Sequence, residues 1–157
     1  MRMKKIDWNR LVPLGIDGAI VRDRMALGLG AAGLFSLSFL GRFSRAVNDL
    51  YRYRGADRFL IEGAKIVPFP ELVEGVFWAF GIMMLTMIAV AVGFYTYHSQ
   101  GSKSLYTMKR LPKRRELWRR VLAMPLLGIA ACMVSVLLLT GLYYVLYLLC
   151  TPVGCLP

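Results

Sequence analysis

From Val121 to Leu149 the chain runs for 29 residues without an Asp, Glu, Lys or Arg, directly behind a block that sets seven Lys and Arg among the 12 residues from Lys109 to Arg120. A hydrocarbon core of about 30 Å is crossed by about 20 helical residues, so this run spans a bilayer with length left for tilt. Dense cation beside a long apolar run marks the cytoplasmic boundary of a span. The junction therefore constrains both the class of the protein and its orientation.

Composition agrees. Mean hydropathy is +0.54 and 57% of residues are hydrophobic, against about 45–50% in a soluble domain. The excess lies in blocks, which makes the 157 residues one membrane domain with little chain left for a soluble catalytic core. The net charge of +11 would point to nucleic acid in a soluble protein, but here the charge is segregated. Residues 1–24 hold six Lys and Arg and three acids, residues 42–75 six and five, and residues 98–120 eight and one. A loop with that last balance is held against an anionic leaflet, where each cation contributes about 1 kcal/mol. Membrane lipid, not nucleic acid, is the expected partner of the charge.

Three apolar runs organise the chain into an all-α membrane protein with three transmembrane helices, at 25–41, 76–97 and 121–149. Small residues (Gly28, Gly30, Ala31, Ala32, Gly33) fill the first and shortest. The second has Phe77, Trp78 and Phe80 at one end and Phe94, Tyr95 and Tyr97 at the other, the double aromatic belt of two interfaces. With the N-terminus inside and the C-terminus outside, cytoplasmic segments hold fourteen Lys and Arg against six outside. Were the first run re-entrant, the N-terminus would move outside while the basic loop stayed inside. No secretory signal is visible, because the first apolar run begins only at Met25 behind a charged stretch.

Between the spans, residues 1–24 read as an amphipathic interfacial segment with Trp8, Leu11, Val12 and Ile16 among charges, weakened as a helix by Gly15 and Gly18. Residues 42–75 form an external loop. Within it Phe43, Val47, Leu50 and Tyr51 recur at helical spacing, which predicts a helix over 42–54 stopped by Gly55, or a continuation of the first span. Pro68 and Pro70 make Ile66–Pro70 extended, and a turn delivers the chain to Glu71 and Glu74. Residues 150–157 are an external tail in which a Cys150–Cys155 bridge is geometrically open, while Cys132 packs inside a span.

The basic cytoplasmic loop, residues 98–120, carries the main functional candidate, GSKSLYTMKRLPKRRELWRR from Gly101. Tyr106 and Leu111 can anchor a short interfacial helix that Pro112 interrupts. Proline suits a first helical position, so a second helix starts there and runs through Glu116, Leu117 and Trp118 into the third span, with Glu116 and Arg120 paired at four residues. The plain alternative is a positive-inside anchor without a partner. Other chemistry is poorly supported. Gly101-Ser102-Lys103-Ser104 lacks the Gly before Lys and the earlier Gly of a phosphate-binding loop. His98 has no Cys or carboxylate at ligand spacing. Glu62, Glu71 and Glu74 read as a solvated face, although they are the group a lipid-modifying enzyme would use. No Asp, Glu, Lys or Arg lies within a span, which argues against ion-coupled transport. What the spans do contain is small residues four apart, including Gly28 with Ala32, Ala89 with Gly93 and Gly128 with Cys132, spacing that lets helix backbones approach closely.

The order of span, Gly101 and Ser102, a hydrophobic pair, Leu111-Pro112, Arg114-Arg115, Glu116-Leu117 and a second span resembles the loop after the second span of ABC-exporter permeases of the drug and polysaccharide class. It is also similar to small bacterial membrane proteins associated with such exporters. The resemblance covers residues 95–157 and extends to the first half only in layout. It implies an interfacial elbow helix within residues 1–24 and a coupling helix that docks on a separate ATPase through Gly101, Ser102, Tyr106, Leu111, Pro112, Arg114, Arg115, Glu116, Leu117 and Trp118. ATP and Mg would then belong to that partner, with no cofactor, metal or catalytic residue in this chain. A full permease of the class has more than three spans, so another membrane subunit or a second copy is implied. The expectation is a non-catalytic exporter subunit in a bacterial plasma membrane. A membrane-anchored adaptor uncoupled from ATP hydrolysis is the alternative, and a lipid-modifying enzyme the third.

Overall fold

The computed structural model describes residues 8, 11–12, 16–54, 57–61, 63–100, 114–152 and 154–156. In chain order these form α1 (Gly18–Ser36), α2 (Ser38–Asn48), β1 (Tyr51–Arg54), β2 (Asp57–Leu60), α3 (Phe69–Val73), α4 (Trp78–Gln100) and α5 (Arg114–Cys150). The described residues are mostly helical, and three stretches are long and apolar enough to cross a membrane: Gly18–Asn48, Trp78–Thr96 and Val121–Cys150. Leu27, Leu85, Leu126 and Leu137 are all well exposed on these helices. Water would penalise so much outward apolar surface; lipid would not.

Two compact units share these helices, one made of Met1–Gly30 and Phe80–Met133, the other of Ala31–Ala79 and Val134–Pro157.

In the first unit, α1 begins where Asp17 caps it. The Asp17 carboxylate accepts the Ala19 amide at 2.8 Å, satisfying a backbone donor that the first turn leaves without a partner. The helix thus starts at Gly18, while Gly15 lies outside the described residues. Within α1, the Arg22 guanidinium lies 5.7 Å from the centre of the Trp8 ring and also pairs with Asp23 at 2.7 Å. The interior is rich in methionine: Met25, Met83 and Met124 are buried, with Phe80, Phe94 and Val121. Flexible thioethers fill irregular gaps between helices. Pro125 sits inside α5 and removes the amide that would bond to the Val121 carbonyl, a usual cause of local bending.

In the second unit, α2 follows α1 after a single turn residue, Leu37. Phe39, Phe43 and Ala46 lie on its buried face, three or four residues apart as one helical face requires. They meet Tyr143 and Tyr147, which recur four apart on α5, in a core completed by Leu50, Ile66, Leu72, Val76 and Cys155. The expected helix over 42–54 ends early, at Asn48, and residues 51–54 are a strand. Tyr51-Arg52-Tyr53-Arg54 alternates ring and charge, the period of a strand, and pairs antiparallel with β2 in the register Tyr51 to Leu60 through Arg54 to Asp57. Leu50 extends the pairing through its carbonyl, which accepts the Ile61 amide at 3.0 Å. The mostly helical fold with three apolar helices fits the expected all-α membrane protein, and this short hairpin is an addition to it.

The stretch expected to be extended also contains a helical turn. α3 begins at Phe69 with Pro70 in its first turn, where a missing N–H is harmless. A positive φ of 76° at Gly75 then reverses the chain into α4, a conformation other residues rarely adopt. The end of the chain is tied back, since the Cys155 carbonyl accepts the Ile66 amide at 2.8 Å. Cys150 and Cys155 are free thiols.

Candidate functional site

The basic loop divides at residue 114. Gly101, Ser102, Tyr106, Leu111 and Pro112 lie outside the described residues, whereas Arg114, Arg115, Glu116, Leu117 and Trp118 form the first turns of α5. From there α5 continues unbroken to Cys150, 37 residues in all, about 55 Å at 1.5 Å per residue. A hydrocarbon core takes up about 30 Å of that. Its basic first turns and the charge-free run therefore belong to one continuous helix, with Pro125 inside it.

In the first unit this rod meets two other helices at Gly128. A Cβ added there would stand 2.8 Å from Met87 Sδ and 3.1 Å from Met25 Sδ, so α1 and α4 both press on this point of α5. Gly28 makes a similar approach, with its missing Cβ 3.3 Å from Met83 Cε. Cys132 is fully buried. Ala89 and Gly93 differ from these, for both are exposed on α4 and nothing stands within 4 Å of the Gly93 Cβ position. In the second unit, Ala32 is buried.

Beside Met25 and Met87 the first unit holds a half-open cavity of about 360 Å³, lined by side chains of α1, α4 and α5 including Arg24, Met87, Val90, Phe94, Met124 and Pro125. Its walls are almost wholly apolar. The Thr86 hydroxyl is turned away from a free role by donating to the Met83 carbonyl at 2.7 Å. Sequence reasoning found Arg24 only as the edge of a span and missed this cavity. No signal in the sequence reports a void, which depends on where Gly128 and Pro125 leave space.

The second unit is organised around Phe39 and Tyr143, whose rings stack at 4.4 Å with an interplanar angle of 14°. Ser36 Oγ donates to the Gly33 carbonyl at 2.7 Å and stands 2.9 Å from the Tyr143 hydroxyl. A serine hydroxyl has one hydrogen, so Tyr143 is the donor in the second bond. Phe69 packs edge-on against Tyr144 and Tyr147 at 5.2 and 5.6 Å, and Tyr147 donates to the Val67 carbonyl at 3.3 Å. Arg42 donates to the Glu74 carbonyl. Glu71 and Glu74 are exposed beside a shallow surface groove along α3, while Glu62 lies outside the described residues. Among the described residues no three His, Cys, Asp or Glu are grouped to hold a metal ion. Comparison with protein-family models, curated proteins and solved structures finds no match to this chain.

Proposed function

We propose that the chain is a non-catalytic, multi-pass subunit of a bacterial ABC-type exporter, coupled to a separate ATPase through its basic loop. The observation that carries the reading is the continuity of α5. A docking segment hung on a flexible linker could hold a partner but not transmit its motion, whereas Arg114–Arg120 are the first turns of the helix that runs on through the apolar run to Cys150. Contact at Gly128 with Met25 of α1 and Met87 of α4 gives that motion a route into the other helices.

In this reading the basic loop and residues 1–24 face the cytoplasm of the cell, and the tail after Cys150 faces away from it. ATP and Mg are bound by the partner. The exposed Ala89 and Gly93 of α4 supply a face on which a helix of another membrane subunit, or of a second copy, approaches closely.

Affinity purification in mild detergent tests the proposal. An ATPase is expected to be recovered with the tagged wild-type chain, and replacing Leu111 and Trp118 together by Ala is expected to reduce its recovery several-fold with membrane insertion intact. Recovery of an ATPase unaffected by those replacements would favour an adaptor that contacts the machine elsewhere. Absence of any ATPase from the wild-type eluate would contradict the proposal.

A further inference from the structure

The cavity in the first unit lies at one level of three helices. Arg24 immediately precedes the apolar run of α1, Phe94 stands near the end of that of α4, and Met124 and Pro125 come just after the last charge of α5, at Arg120. It therefore sits where a bilayer's headgroups give way to its chains, at the end of the helices that carries the basic loop.

Its chemistry is that of an amphiphile with a negative head. Met87, Val90, Phe94 and Met124 offer a dry wall for methylenes. At the rim stands the exposed Arg24, which has no ion-pair partner among the described residues, whereas Arg22 pairs with Asp23 at 2.7 Å. A guanidinium beside an apolar slot matches a phosphate with its acyl chain attached, because its fork of donors suits phosphate oxygens. Basic pockets between helices on the cytoplasmic side are a general form of lipid headgroup site. A water-soluble anion would leave the slot empty, and a zwitterionic lipid, whose phosphate charge is offset by its own ammonium, would match the cation less well.

We infer that this cavity is a binding site for one anionic phospholipid, its acyl chain lying between α1, α4 and α5 and its phosphate on Arg24. The site is independent of any ATPase. Occupied, it places a lipid chain beside the Gly128 contact and next to Pro125, where the rod of α5 is most easily bent.

Native mass spectrometry of the full-length chain, released from mixed vesicles of phosphatidylglycerol and phosphatidylcholine, tests the site. One phosphatidylglycerol is expected to be retained per chain, and Arg24→Gln is expected to lower its preference over phosphatidylcholine about fivefold, the loss of one surface cation's contribution. Arg24→Lys should keep most of the preference. Val90→Trp, which fills the slot, should remove the bound lipid of either kind, with circular dichroism showing unchanged helix content in each variant. Equal retention of both lipids by the wild type would make the cavity a general lipid contact and overturn the inference. So would a preference that survives Arg24→Gln but is lost when Lys109, Arg110 and Lys113 are replaced by Gln, which would assign the lipid to the basic loop.

Discussion

A side chain at Gly128 would meet two methionines. Its absent Cβ would lie 2.8 Å from Met87 Sδ and 3.1 Å from Met25 Sδ, inside ordinary van der Waals separation. A thioether can swing aside from a single methyl group, so Gly128→Ala is expected to be mild. Gly128→Leu must displace both methionines, and overpacking of this kind lowers stability by about 1–3 kcal/mol; thermal unfolding in detergent checks it. Gly93→Leu meets nothing within 4 Å and should leave the same unfolding curve within about 0.5 kcal/mol. Two glycines in similar small-residue patterns thus give opposite outcomes, and only the packing tells them apart. The Ser36–Tyr143 bond offers a second comparison. Tyr143→Phe removes one interhelical hydrogen bond, about 0.6 kcal/mol in a membrane protein, while Ser36 keeps its bond to the Gly33 carbonyl. Phe39→Ala deletes a ring stacked at 4.4 Å on Tyr143 and fully buried, and is expected to lower stability by about 3 kcal/mol or more.

Among the elements, α5 carries the proposed function through its continuity. Arg119→Pro should break the rod between its basic turns and the charge-free run, since proline in a helix interior costs about 3 kcal/mol. Insertion is expected to survive because Val121–Leu149 is untouched, but recovery of the ATPase should fall, and Arg119→Ala should restore it. How legible each element is in the sequence follows from what forms it. The three apolar runs are recognisable because a span is a matter of length and composition, and the structure has long apolar helices there. The hairpin was hidden because Phe43, Val47, Leu50 and Tyr51 fit a helical period as well as Tyr51 and Tyr53 fit a strand. The chain follows the helical period only to Asn48 and the strand period from Tyr51. Of the small-residue positions, spacing alone could not separate Gly128, pressed by two methionines, from Gly93, open on α4. The docking residues from Gly101 to Pro112 rest on sequence pattern and resemblance, since they lie outside the described residues.

At the scale of the whole molecule, the proposed orientation rests on charge. Fourteen Lys and Arg are assigned to one side of three spans and six to the other, with five acids beside those six, and the proposed cytoplasmic side of the basic loop rests on the positive-inside rule. The proposed coupling to an ATPase requires that side. Native Cys150 is an exposed free thiol at the end of α5, and in the proposed orientation it reports the opposite face. The most direct measurement compares two single-cysteine chains in intact cells with a membrane-impermeant maleimide, one keeping Cys150 and the other carrying Ser104→Cys, all remaining cysteines being replaced by Ala. Labelling of Cys150 without permeabilisation, and of position 104 only after it, is the expected result. Position 104 labelled from the medium while Cys150 is protected would contradict the account.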